Sequence, residues 1–167
     1  QVMEETVFEI EKLNERRKMI KNEVVAEART KVSKDDSVQL IVINDGENVD
    51  GVMGIVANSI MQHHNKPVIV LSKNEATGTY TGSARSVENI SMQKILKEEM
   101  DKGNLVKYGG HDAAAGLKLS EDMIESFKKS LKQYSFETKE VSGDFAELFI
   151  DKTLKVKDIN RNLHDII

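Results

Sequence analysis

The chain has 167 residues, enough for one domain of ordinary size or one domain and a fragment. It contains no cysteine, which excludes disulfides and thiolate metal sites and fits a reducing cytoplasm; no tryptophan and few aromatics argue against a broad base-stacking platform. The net charge of −4 argues against strong non-specific DNA binding, yet residues 51–120 carry 8 Lys/Arg against 6 Asp/Glu, so the middle of the chain admits anionic ligands.

No apolar run is long enough to span a bilayer and none reads as a signal peptide, so a cytoplasmic protein with no membrane partner is expected. The chain opens on Gln1 with helical periodicity already under way, and a piece excised from a longer protein is the expectation. From Met3 to Val32 there is no Gly or Pro. Apolar residues recur at Val7, Ile10, Leu13, Ile20, Val24 and Ala28, in steps that predict one long amphipathic helix. Asn14 and Arg17 interrupt that stripe one turn apart. They mark a contact with another domain or an anion, or else a snorkelling arginine; both readings stand.

Val38–Ile43 reads as a buried strand closed by Asn44-Asp45-Gly46. Asp50 is placed to cap a helix running from Gly51 to His64, with Gly51 and Gly54 inside it where a ligand or another backbone comes close. Asn65-Lys66-Pro67 breaks that helix. Strands follow at Val68–Leu71 and Gly78–Ser86, a helix at Met92–Met100, a turn at Gly103-Asn104 and a strand at Ala113–Leu119. Ser120 then caps a helix to about Tyr134, with Glu121 and Asp122 in its first turn. Strands alternating with helices predict an α/β domain with a mixed sheet and flanking helices, preceded by a long connector helix. The expected divisions are a connector at 1–34, a domain at 35–135 and the start of a further segment at 136–167.

Two constellations carry chemistry. Gly109-Gly110-His111-Asp112-Ala113-Ala114-Ala115-Gly116 sets one imidazole on a glycine pair among small residues, which lets a ligand approach the main chain. Gly82-Ser83-Ala84-Arg85-Ser86 sets an arginine among hydroxyls, a pattern suited to phosphate oxygens. Each has a plainer alternative: a histidine bonded to its own loop, and a surface arginine beside turn serines. His63 and His64 suit a helix end, and His164 is assigned nothing. Asp45, Asp50 and Asp112 suit turns and caps. No carboxylate or histidine cluster has metal-ligand spacing, and no phosphate-binding loop or nucleophile elbow is present.

Four motifs in series, Gly51-Val52-Met53-Gly54-Ile55-Val56-Ala57, Lys66–Leu71, Gly82–Ser86 and Gly109–Gly116, resemble the DHH-associated domain of the DHH phosphoesterase superfamily. Leu13-Asn14-Glu15-Arg16-Arg17 on the long helix resembles the connector of the RecJ-type single-stranded-DNA exonucleases. The resemblance implies a separate N-terminal DHH domain, absent here, holding Mn²⁺ or Mg²⁺, with metal-activated water attacking a phosphodiester. It implies that Arg85 and His111 bind substrate phosphates, with His111 nearest the scissile group as the catalytic residue. Ser83, Ser86, Gly109 and Gly110 would shape the pocket, and Asn14 and Arg17 would order the connector. No metal is expected on this stretch, which alone should not hydrolyse DNA. The residues after Phe136 resemble the start of an OB fold. One departure stands out: such chains usually have histidine where this one has Asp50. Within the superfamily the runner-up is a phosphodiesterase of oligonucleotides or cyclic dinucleotides. Outside it, the alternative is a non-catalytic nucleic-acid-binding module like the related domain of alanyl-tRNA synthetases.

Overall fold

The computed structural model describes residues 2–43, 49 and 51–136. Asn44-Asp45-Gly46, Asp50 and everything from residue 137 on, including the OB-like stretch and His164, lie outside the described residues. In chain order the elements are α1 (Val2–Thr30), β1 (Gln39–Ile43), α2 (Met53–His64), β2 (Val68–Asn74), β3 (Thr79–Arg85), α3 (Met92–Asp101), β4 (Lys107–Gly110), β5 (Ala114–Ser120) and α4 (Ile124–Leu131). A single 3₁₀ turn, Glu121–Met123, leads into α4.

The strands form one sheet in the order β1-β2-β3-β5-β4. β1 and β2 are parallel, as a crossover through α2 requires, and the other pairings are antiparallel. The expected mixed α/β sheet with a long leading helix is therefore present.

Each face of the sheet has its own core. α3 and α4 cover one face, burying Ile69, Leu71, Tyr80, Ala84, Ala115, Leu117 and Leu119 with Leu96 and Phe127. On the other face, α1 and α2 bury Ile41, Ile43, Val68 and Val70 with Val24, Ala28, Val56 and Ile60. Alternate residues of β2 thus point into different cores, which is why its sequence is almost continuously apolar. Between α1 and β1, the buried amide of Gln39 donates to the carbonyls of Ser33 and Asp36 and accepts from the Ser33 N–H.

Only the second half of the α1 stripe is covered. Val24, Val25 and Ala28 are buried and Ile20 packs beside them, while Val7, Ile10 and Leu13 stay exposed, as do Phe8 and Met19. Two expectations are corrected and one gap is filled. α2 begins at Met53, with Val52 in the cap position and no side chain capping it, so only Gly54 of the two glycines is helical. Ser120 does not cap a helix through its hydroxyl, which bonds Asp122 instead; the 3₁₀ turn intervenes and α4 ends at Leu131. The stretch before His111, where the sequence predicts no element, is a strand, β4. Asn65 breaks α2 as expected, in the left-handed region at φ 49°, its N–H bonded to the Met61 carbonyl at 2.8 Å.

Candidate nucleic-acid interface

The candidate interface is the uncovered part of the face that α1 and α2 only half cover. Strand register fixes its rows. Thr81 lies opposite Lys118, which lies opposite Lys107. Ser83, Gly116 and Gly109 form the next row, and Arg85 and Ala114 the third. All these positions alternate with residues buried under α3 and α4, so all point to the other side. Where β1 and β2 present Ile41, Ile43, Val68 and Val70, this half presents glycine, alanine, serine, threonine and cations. The result is a low shelf with Gly109 and Gly116 exposed.

Arg85 bounds the shelf on the α2 side. Its Nη1 donates to Ser83 Oγ at 3.0 Å and to the Ala84 carbonyl at 2.8 Å. The guanidinium lies against α2 at Gly54, where an added Cβ would sit 2.7 Å from Nη2 and 3.3 Å from Ser83 Oγ. Gly54 therefore makes room for the arginine, a role that a helix-interior glycine signals only when its neighbour is known. Arg85 has no ion-pair partner among the described residues. Its charge is held in place yet not neutralised.

His111 lies just beyond the Arg85/Ala114 row, in the β4–β5 turn. Its N–H donates to the Ala114 carbonyl at 2.8 Å, while its exposed ring has no hydrogen-bond partner among the described residues. The turn is held from two sides. The Ser86 N–H donates to the Ala113 carbonyl at 2.9 Å, and the Met92 N–H to the Asp112 carbonyl at 2.9 Å. Ser91, the α3 N-cap, accepts from the Lys94 N–H at 3.1 Å and donates its hydroxyl to the Asp112 carboxylate. Asp112 thus ties the histidine turn to a helix start, the structural use expected of it.

The two glycines before His111 differ in purpose. Gly110 has φ +145°, and an added Cβ would meet the Ala114 carbonyl oxygen at 2.4 Å, so the fold requires glycine there. Gly109 would meet nothing within 4 Å, and Gly116 nothing nearer than 3.8 Å. Neither needs glycine for packing, although glycine weakens a strand. Open space above them is what a side chain would remove.

Not every predicted residue joins this group. Ser83, Arg85 and Gly109 share the shelf, with Gly110 and His111 at its end. Ser86 is only 6% exposed, and its Oγ is inaccessible and without a hydrogen-bond partner among the described residues. Asn14 and Arg17 are exposed on the uncovered half of α1 and make no hydrogen bond or ion pair with the sheet. Lys107 and Lys118 were missed, the two-residue alternation around the glycine motif being their signal; Gly54 was read as a point of close approach, but by a ligand or backbone and not by the Arg85 side chain. Among the described residues no group of three His, Asp or Glu side chains could hold a metal ion, and no helix is long and apolar enough to cross a membrane.

A family model for the DHHA1 domain matches residues 35–135. The chain belongs to the DHHA1 domain family. Its relatives include the single-stranded-DNA-specific exonuclease RecJ of Bacillus subtilis, 30% identical over 158 residues, covering 93% of this chain and 20% of that protein. The RecJ of Escherichia coli is 33% identical over 128 residues, covering 72% of this chain and 22% of that protein. Among solved structures, Thermus thermophilus RecJ in complex with Mg²⁺ superposes with a TM-score of 0.63 at 29% identity, over 74% of this chain and 18% of that one. This DHH-associated region is RecJ-like, and the chain spans about a fifth of the length of the curated relatives it matches.

Proposed function

We propose that this region is the substrate-binding part of a RecJ-like, metal-dependent exonuclease that degrades single-stranded DNA from 5′ to 3′ in the cytoplasm during repair and recombination. The observation that carries the proposal is the shelf itself: an arginine and an imidazole without a carboxylate partner among the described residues, and two glycines with open space above them, on a sheet whose other half is packed under α1 and α2. A sugar–phosphate backbone needs close approach to the main chain and charge-assisted donors at its oxygens. Arg85 and Ser83 would grip a phosphate, Gly109 and Gly116 would let the strand lie low, and His111 would stand nearest the scissile bond. Residues 35–135 form the binding unit of this proposal and 1–34 its connector. Asn14 and Arg17 would face a preceding DHH domain across the exposed half of α1.

Related RecJ structures are described with Mg²⁺ or Mn²⁺. In this proposal such an ion is held by the DHH domain.

The test is hydrolysis of 5′-labelled single-stranded DNA by the full-length gene product with Mn²⁺. Arg85→Ala should lower kcat/KM by about tenfold to a hundredfold, the loss of one charge-assisted contact of about 1.5–3 kcal/mol. His111→Ala should lower kcat more than it raises KM. Unchanged kcat/KM in both variants rejects the assignment. A sharp preference for dinucleotides over long strands would favour the small-substrate phosphodiesterases instead. Loss of binding with unchanged hydrolysis in His111→Ala would favour a binding module.

A further inference from the structure

The shelf's lysine row is absent from the motifs that carry the family resemblance. Lys107 on β4 and Lys118 on β5 are direct cross-strand partners, both exposed and both on the open face. Like charges directly opposite one another on neighbouring strands repel and destabilise the pair. Neither lysine has a carboxylate partner among the described residues. Among the described residues Lys73 pairs with Glu75 and Glu121, Lys97 with Asp101, Lys102 with Glu99 and Lys128 with Glu125, while Lys94, Lys129 and Lys132 share with the shelf pair the lack of a carboxylate partner but do not stand opposite another lysine in a sheet. The eight shelf positions hold three cations and no acid, in a chain whose net charge is −4.

The geometry orders these charges. Successive rows on one face of a sheet lie about 7 Å apart. Next to the Arg85 row comes the open Gly109/Gly116 row, and the lysine row lies beyond it, about 14 Å from the arginine row. We infer that Lys107 and Lys118 form a second phosphate subsite. It holds the nucleic-acid backbone downstream of the Arg85/His111 end, with the strand lying along β4 and β5 across the glycines. The subsite rests on the functional reading above and deepens it. It recognises backbone charge, which makes the ligand a single strand at least a few nucleotides long rather than a lone dinucleotide. No aromatic side chain stands among the shelf positions and the lysines reach backbone phosphates rather than base edges, so the subsite is indifferent to sequence.

The test is salt-dependent binding of a fluorescein-labelled twelve-nucleotide oligothymidylate to the full chain, read by anisotropy. The double variant Lys107→Gln/Lys118→Gln should flatten the slope of log K against log salt by about 1.4, and weaken binding tenfold or more at about 50 mM salt. Lys107→Arg/Lys118→Arg should keep the wild-type slope. Lys129→Gln/Lys132→Gln on and just after α4 removes the same charge from the other side of the sheet and should leave the slope unchanged. Matching thermal melts show that each variant is folded. If the shelf variant binds like wild type, or the α4 variant loses as much, the subsite is wrong while the Arg85/His111 site stands. If the wild-type chain shows no salt-sensitive binding, the functional reading falls and the subsite with it.

Discussion

The same three strands, β3, β5 and β4, present two opposite surfaces. Towards α3 and α4 they carry Tyr80, Ala84, Ala115, Leu117, Leu119 and Tyr108, packed into a continuous core. Towards the other side they carry Thr81, Ser83, Arg85, Ala114, Gly116, Lys118, Lys107 and Gly109, and no helix of the fold buries them as it buries β1 and β2. One surface is built of volume and the other of its absence. Substitutions on the first should therefore act on stability, and substitutions on the second on ligand binding.

Gly110→Ala should have the largest effect on the fold, because a Cβ there meets backbone at 2.4 Å at a positive φ. Combining overpacking with a disfavoured dihedral, the cost should be about 3 kcal/mol or more, read by denaturant unfolding. A near-wild-type melt would show that the turn is not held as described.

Glu99 tests the packed side next. Fully buried, it accepts hydrogen bonds from Lys102 at 2.8 Å, Ser130 at 2.7 Å, Tyr134 at 3.1 Å and Asn104 at 2.7 Å. Burial pushes its carboxyl pKa up, but the bonds from Lys102, Asn104 and Ser130 outweigh burial and hold it below the ordinary value. Glu99→Ala should cost about 3 kcal/mol, since it strands buried donors, while DNA affinity stays unchanged. The sign for pH follows from the depressed value. The network's contribution is present above the unfolded carboxyl's pKa near 4.5 and is lost as pH falls through the lower folded value. In Glu99→Gln that part of the acid dependence should vanish; an unaltered acid limb would assign it to other groups.

Gly54→Ala separates the two surfaces more finely. The new methyl displaces the far end of Arg85, at 2.7 Å, and presses on Ser83 Oγ at 3.3 Å, while helix propensity gains up to about 1 kcal/mol. Stability should hold or rise while single-stranded DNA affinity falls about tenfold, as the guanidinium leaves Ser83. Intact affinity would mean that the arginine's resting position is unimportant. Gly109→Ala should do least to the fold, within about 0.5 kcal/mol, and should still weaken binding severalfold by raising the shelf floor. Equal melts with equal affinity would leave the open space above Gly109 without a use.

Much of this was legible in the sequence because its periods are strong. The long first helix, the β-branched run at residues 39–43 and the Asn65–Pro67 break all follow from local chemistry. β4 was not read because a glycine pair carries no strand signal of its own, and only pairing with β5 makes it a strand. Arg85, Ser83 and His111 were visible as motifs, but the relation of Arg85 to Gly54 spans 31 positions and needs the packed helix. Ser86 shared its motif with Arg85 yet lies buried just past the end of β3, where its N–H bonds the Ala113 carbonyl. Lys107 and Lys118 are ordinary in sequence and become a pair only through register.

The most direct test of the central claim is an NMR titration of the ¹⁵N-labelled chain with oligothymidylate. Amide shifts should concentrate at Ser83, Arg85, Gly109, His111, Gly116 and Lys118, with Leu131 and Ser130 behind the sheet unmoved. Shifts gathered on α4 and the outer edge of β1, with the glycines silent, would contradict the account.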